Sequence, residues 1–176
     1  MNNQEKYKYA YSLTSAASVG LSFIEDSLSN TINETTDNAY LRSFYILLSY
    51  NFELILKSRV VMIGDFIDKD KMNYDLRKLG HDIEKIKNKL GNINLSDLGI
   101  KKIEQVAKNT RYKIVTTDNK KVFIDNFTKI RYDFLDDIVR SIDNIENKRI
   151  EEHIKILTDV ILRKAKQKNE EAKSLK

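Results

Sequence analysis

Apolar residues recur along most of this chain at intervals of three and four, the spacing that stacks side chains on one face of an α-helix. Over residues 4–29, Leu13, Ala16, Ala17, Gly20, Leu21, Ile24 and Leu28 follow that period and predict an amphipathic first helix. The run SNTINETTDN that follows is polar and rich in turn formers. Asp37 or Asn38 then caps a second helix, predicted to run to Phe66. Its stripe of Leu41, Phe44, Tyr45, Leu48, Phe52, Ile55, Leu56, Val60 and Ile63 is wide enough for a central bundle helix. Residues 65–75 are polar and read as a loop. A third helix is predicted over 79–90, with Leu79, Ile83, Ile86 and Leu90 inward and Gly91 ending it. Ser96 or Asp97 caps a fourth over 97–109, with Leu98, Ile103 and Val106 inward. Residues 111–119 read as a basic loop with a short β-like run at 112–115, followed by a fifth helix over 120–129.

Arg131-Tyr132-Asp133 interrupts that pattern, and 134–142 either continues the fifth helix or forms a separate turn. Asp143 and Glu146 stand at capping-box spacing before a last helix, carried to about 168 by Ile150, Ile154, Leu157, Val160, Ile161 and Ala165. Residues 167–176 are expected to form a frayed basic tail. The expected fold class is all-α: one domain over 1–176, an antiparallel, up-and-down bundle of five to six helices.

Composition supports that expectation. The chain has no proline, where usage of about 5 % would give roughly nine, so the strongest helix breaker is missing. It has no cysteine, which excludes disulfides, thiolate nucleophiles and cysteine-held metals. The two histidines lie far apart and no HExxH spacing occurs, so no metal or other cofactor is expected. The mildly apolar segment 10–23 follows two lysines as a signal peptide would, but its serines and its helical period favour a mature first helix. No apolar run reaches spanning length; 46–63 comes nearest and is broken by Asn51, Glu53, Lys57 and Arg59. A cytoplasmic protein without membrane contact is the expectation. The net charge of +5 is uneven: residues 101–131 hold nine basic and three acidic side chains, which permits an anionic partner.

Four polar groupings could carry chemistry. Glu53 and Lys57 sit four apart on the second helix, either as an ordinary rim ion pair or as a cation that holds phosphate or a partner's carboxylate. His81-Asp82 opens the next helix. Asp82 suits its N-terminus, while His81 can cap the loop, bind phosphate or act as an acid or base. Arg131, beside Tyr132, is a bidentate anion donor or a structural anchor. Arg149 and His153 share a helix face, where they either grip RNA phosphate and activate a ribose hydroxyl or simply meet solvent among Glu151 and Glu152. Phosphate-loop, dinucleotide-binding and nucleophile-elbow motifs are all missing.

The segment NFELILKSRVVM with LRKLGHDIEKI resembles the HEPN superfamily of prokaryotic helical domains. The matching positions are Glu53, Leu54 and Lys57, then His81, Asp82 and Ile83, and the Arg131-Tyr132 step resembles an element that precedes the family's last helix. The resemblance implies a bundle of four to six helices, a homodimer, and work on RNA or nucleotides, or with a partner protein encoded nearby, in stress or phage defence. For a binding module of this kind, Lys57, His81, Asp82 and Arg131 are the expected ligand-binding residues, converging on one groove. Ribonuclease members carry an arginine, four to six residues and then a histidine on the last long helix. Arg149 and His153 are the corresponding catalytic pair here, with three residues between them. That departure favours a noncatalytic binding module over a metal-independent ribonuclease, with an interaction subunit lacking any nucleic-acid role as a third reading.

Overall fold

The computed structural model describes residues 1–31, 38–106, 111–126 and 144–175. Helix α1 (Asn3–Thr31) and helix α2 (Asn38–Ile63) form the largest helix–helix contact. They run antiparallel: the Met1 ammonium donates to the Phe66 carbonyl at 2.7 Å, and Gly20 lies against Asn51. Ala10, Ala17, Leu21, Ile24 and Leu28 make the buried stripe of α1. α2 is buried on nearly all sides from Asn51 to Met62, as its wide apolar pattern requires.

Residues 65–75 are not the expected loop. Helix α3 (Lys69–Leu79) starts there, capped by Asp68, whose carboxylate accepts from the Lys71 N–H at 2.8 Å. It buries only Met72, so it carries no apolar stripe for periodicity to detect. Helix α4 (Ile83–Asp97) holds Ile83, Ile86, Leu90 and Leu95 in the core. Gly91 breaks its geometry with φ of 68° where the pattern ended, yet helical hydrogen bonding resumes beyond it.

The larger correction concerns the described residues between 100 and 125, where a three-stranded antiparallel sheet stands in place of the expected fourth and fifth helices, so the protein is mostly helical but not all-α. Strands β1 (Ile100–Val106), β2 (Arg111–Thr116) and β3 (Lys121–Asp125) lie in that order, β2 in the centre. Gly99, at φ of 73°, ends the preceding helical geometry in a backbone region that a side chain disfavours. β2 then alternates strictly, with Tyr112, Ile114 and Thr116 inward. β1 does not alternate cleanly, because a register shift between Ile100 and Lys102 puts Ile100 and Ile103 on one face at helix-like spacing.

Helix α5 (Asn144–Ile156), a π-helical stretch (Leu157–Leu162) and helix α6 (Arg163–Lys173) follow one another without a break. Helix α6 carries the chain to Lys173, across the segment expected to fray from 167. Asn169 is buried, Tyr7 bonds the Glu170 carboxylate, and the Lys173 ammonium sits 4.2 Å from the Tyr7 ring centre. These contacts, with Lys166 on Ser18, make α6 antiparallel to α1. One apolar core joins α1, α2, α4, the inner sheet face and the long last helix. A smaller cluster of Ala10, Val61, Met62, Phe66 and Met72 fills the end beside α3. Among the described residues no helix is long and apolar enough to cross a membrane. The Arg131-Tyr132-Asp133 step, residues 134–142 and the Asp143 cap lie outside the described residues.

Candidate functional site

Three residues, Gly80, His81 and Asp82, separate α3 from α4, and local chemistry forces the turn between them. Gly80 takes φ of 57° and donates its N–H to the Arg77 carbonyl at 3.0 Å, closing α3. Asp82 opens α4, its carboxylate accepting from the N–H groups of Glu84 at 3.0 Å and Lys85 at 3.2 Å. His81 is held between the two caps and has little freedom to move along the chain.

Its imidazole reaches across to α2. Nδ1 lies 2.9 and 3.2 Å from the two oxygens of Glu53. The same carboxylate takes the Lys57 ammonium at 2.6 Å. Glu53 is only 2 % exposed, so an unpaired charge there would be costly; the lysine one turn on and the histidine opposite both satisfy it. The sequence therefore brings Lys57 and His81 onto one carboxylate. Lys57 is largely buried, whereas 43 % of the His81 side chain stays exposed. The bond to Glu53 fixes the ring's orientation.

The exposed part of His81 borders a groove of about 480 Å³ between the α3–α4 turn and the sheet. Lys78, Asp82 and Lys85 line the helical side, and Gln105, Tyr112 and Asn126 the sheet side. Asp82 is occupied as the α4 cap, and the Glu84 carboxylate pairs with Lys87. Burial, followed by the Asp82 and Glu84 charges, pushes the Tyr112 phenol above its ordinary range, so that ring stays neutral. Ser49 donates to the Asp125 carbonyl at 2.7 Å, and Arg111 pairs with the Asp125 carboxylate, so β3 and its Asn126 end are anchored to α2 and β2. The groove thus offers two ammonium groups, an imidazole and two amides beside the Asp82 and Glu84 carboxylates, with Lys85 3.9 Å from Asp82 and the Tyr112 ring buried behind them. That set fits an anionic, hydrogen-bonding ligand of modest size. Among the described residues no three His, Asp or Glu side chains gather as a metal site would need.

The other predicted residues fare differently. Asp82 lines the groove, with its carboxylate engaged as the α4 cap. Arg131 lies outside the described residues. Arg149 and His153 do not present one working face: Arg149 is exposed, while His153 is 3 % exposed and bonds through Nδ1 to the Arg149 carbonyl, with Phe123 edge-on at 6.0 Å. Burial lowers the His153 pKa, against the opposing effect of that carbonyl, and favours the neutral ring. Sequence reasoning missed Lys78, Lys85, Gln105, Tyr112 and Asn126. The two lysines flank the turn already singled out; Gln105 and Tyr112 belong to strands that were read as helix and loop, and Asn126 directly follows β3 in the segment read as a fifth helix. No family model, curated protein or solved structure matches the chain.

Proposed function

We propose that this protein is a noncatalytic, HEPN-like helical module that binds a nucleotide or the end of a single-stranded RNA in the groove beside His81, as a cytoplasmic component of a prokaryotic stress or defence system. In this reading the helices supply the HEPN-like bundle and the sheet is an addition that walls the groove. The observation that carries it is the shared carboxylate: Glu53 holds Lys57 and orients His81 at the rim of a cavity that also carries two lysines and two amides. A phosphate meets the imidazole and the ammonium groups, while the amides of Gln105 and Asn126 suit the edge of a base.

The alternative of a metal-independent ribonuclease is weaker, because substrate would have to reach the His153 imidazole through the core, and the Arg149 guanidinium stands outside it. The test is calorimetric titration with AMP, ATP and a ten-nucleotide single-stranded RNA. His81→Ala and Lys85→Ala should each weaken binding about tenfold, the worth of one charge-assisted hydrogen bond. Affinity should fall as salt rises. Absence of binding by all three probes at millimolar concentration would overturn the reading, as would binding that neither substitution changes. Binding of a partner protein that ignores salt would favour the pure interaction subunit.

A further inference from the structure

His153 is a buried base with one nitrogen out of use. Its Nδ1 meets the Arg149 carbonyl, which can only accept, so Nδ1 carries the ring's proton. Nε2 therefore keeps a lone pair in the interior, where it has no hydrogen-bond partner among the described residues. Phe123 of β3 stands edge-on to the ring. Among the described residues the charged groups around it are Arg149 and Glu152, both exposed on its own helix, and Arg111 of β2. Arg111 is paired with the Asp125 carboxylate of β3 and lies 5.3 Å from the centre of the Tyr45 ring on α2. A second proton would turn Nε2 into a buried donor without an acceptor, near two guanidinium groups and one exposed carboxylate. Holding that cation in place is costly, so the protonated ring seeks water.

Packing decides which neighbour gives way. α5 runs on into the π-helical stretch and is pinned by Ile150, Ile154 and Leu157, all buried. β3 is a five-residue edge strand that buries only Val122 and Ile124. It is held by its ladder with β2, by Ser49 on the Asp125 carbonyl, by Arg111 on the Asp125 carboxylate and by Phe123 against His153. An element with so little buried apolar surface opens more readily than a long helix. Asn126 follows it directly and lines the groove. We propose that His153 is an acid-operated latch on β3: protonation drives the ring away from Phe123, the strand loosens, and the sheet wall of the groove opens with it. The latch needs no ligand; only the release of a bound anion rests on the groove's proposed role. Protonation of His81 on the rim acts in the opposite sense, because it adds a positive charge facing the anion.

Amide hydrogen exchange of the full chain, followed by NMR between about pH 7 and pH 5 and corrected for intrinsic rates, tests the latch. The opening constants of Val122, Phe123 and Ile124 should rise as pH falls below the ordinary histidine value, by up to about tenfold per pH unit, the limit for one proton. In low urea that opening should be nearly independent of denaturant, whereas Ile55 and Leu56 of α2 should follow the global m-value. His153→Gln keeps an amide donor for the Arg149 carbonyl but cannot be charged, and His153→Leu fills the space without a proton; either should abolish the acid response of β3. AMP as probe should bind more weakly at the lower pH to the parent but not to His153→Gln. Acid opening of β3 with no AMP bound at either pH would uphold the latch and discard the groove's role. Exchange of β3 only together with α2 at both pH values, or an acid response that survives in both variants, would overturn the proposal.

Discussion

Replacing Glu53 by glutamine takes away the charge that two other side chains are built around. Lys57 would then hold an ammonium 13 % exposed, 2.6 Å from a neutral amide, and His81 would lose an ionic acceptor at 2.9 Å. Removing one member of a buried pair costs about 3–5 kcal/mol, because the survivor stays desolvated without compensation. The lysine stem can swing its head toward water, which places the cost at the lower end, about 3 kcal/mol. In a domain of this size that lowers Tm by roughly 6–12 °C. Lys57→Met alone should cost a similar amount, since it leaves Glu53 at 2 % exposure with only the half-exposed His81 to oppose it. The double variant Glu53→Gln, Lys57→Met removes both charges and should cost far less than the two singles together. Urea unfolding of the four proteins gives the coupling directly. We expect a coupling of about 2–3 kcal/mol at unchanged m-values. Additive costs, or a Glu53→Gln loss under about 1 kcal/mol, would mean that the carboxylate is not desolvated as described.

Two further outcomes follow from the same packing. His153 has a depressed pKa in the folded chain, so the unfolded chain takes up its proton first as pH falls below the ordinary value of 6.5. Its neutral form therefore contributes stability that is complete above about 6.5 and is lost progressively toward the lower folded value, and urea midpoints at pH 7 and pH 5 should converge more closely for His153→Leu than for the parent; parallel losses would contradict the burial. A Cβ at Gly20 would stand 2.3 Å from Asn51 Oδ1, whose amide Nδ2 donates to the Leu47 carbonyl, so Gly20→Ala should cost about 1–3 kcal/mol in the same assay despite its better helix propensity, whereas stabilisation would show that α1 and α2 can part freely.

The long helices were legible because each carries a broad apolar face with a clear boundary. α2 was expected from Asp37 or Asn38 to Phe66 and runs from Asn38 to Ile63, whereas the next helix was expected from Leu79 and starts only at Ile83, after the Gly80 turn. What sequence misread has a physical reason in each case. α3 buries one side chain, Met72, so its start is written in the Asp68 cap and its end in Gly80, not in a stripe. β1 imitates a helix because its bulge puts Ile100 and Ile103 three apart on the same face. β3 has just two buried residues, Val122 and Ile124, too few to outvote a helical reading. At the site, Lys57, His81 and Asp82 could be singled out because a lysine and a histidine near aliphatic runs stand out. Gln105, Tyr112 and Asn126 could not, because a groove wall built from strands cannot be assigned while the strands are missing. Arg149 and His153 look like surface residues in a run of charge, and only packing against Phe123 separates them.

The π-helical stretch from Leu157 to Leu162 acts as a phase adjuster in the last helix. Upstream, His153 and Ile154 face inward with His153 against β3; downstream, Ala165 and Asn169 face α1 and α2. Two walls set at different azimuths cannot both be met by a rod of constant pitch. The wider turns absorb the mismatch, much as a spacer washer sets where a screw stops. Shortening this stretch by a single residue would rotate everything beyond it by about 100°, bringing Glu170 to where Asn169 now sits and Lys166 to where Ala165 does. Length in these six positions is therefore held more tightly than the identity of any one side chain.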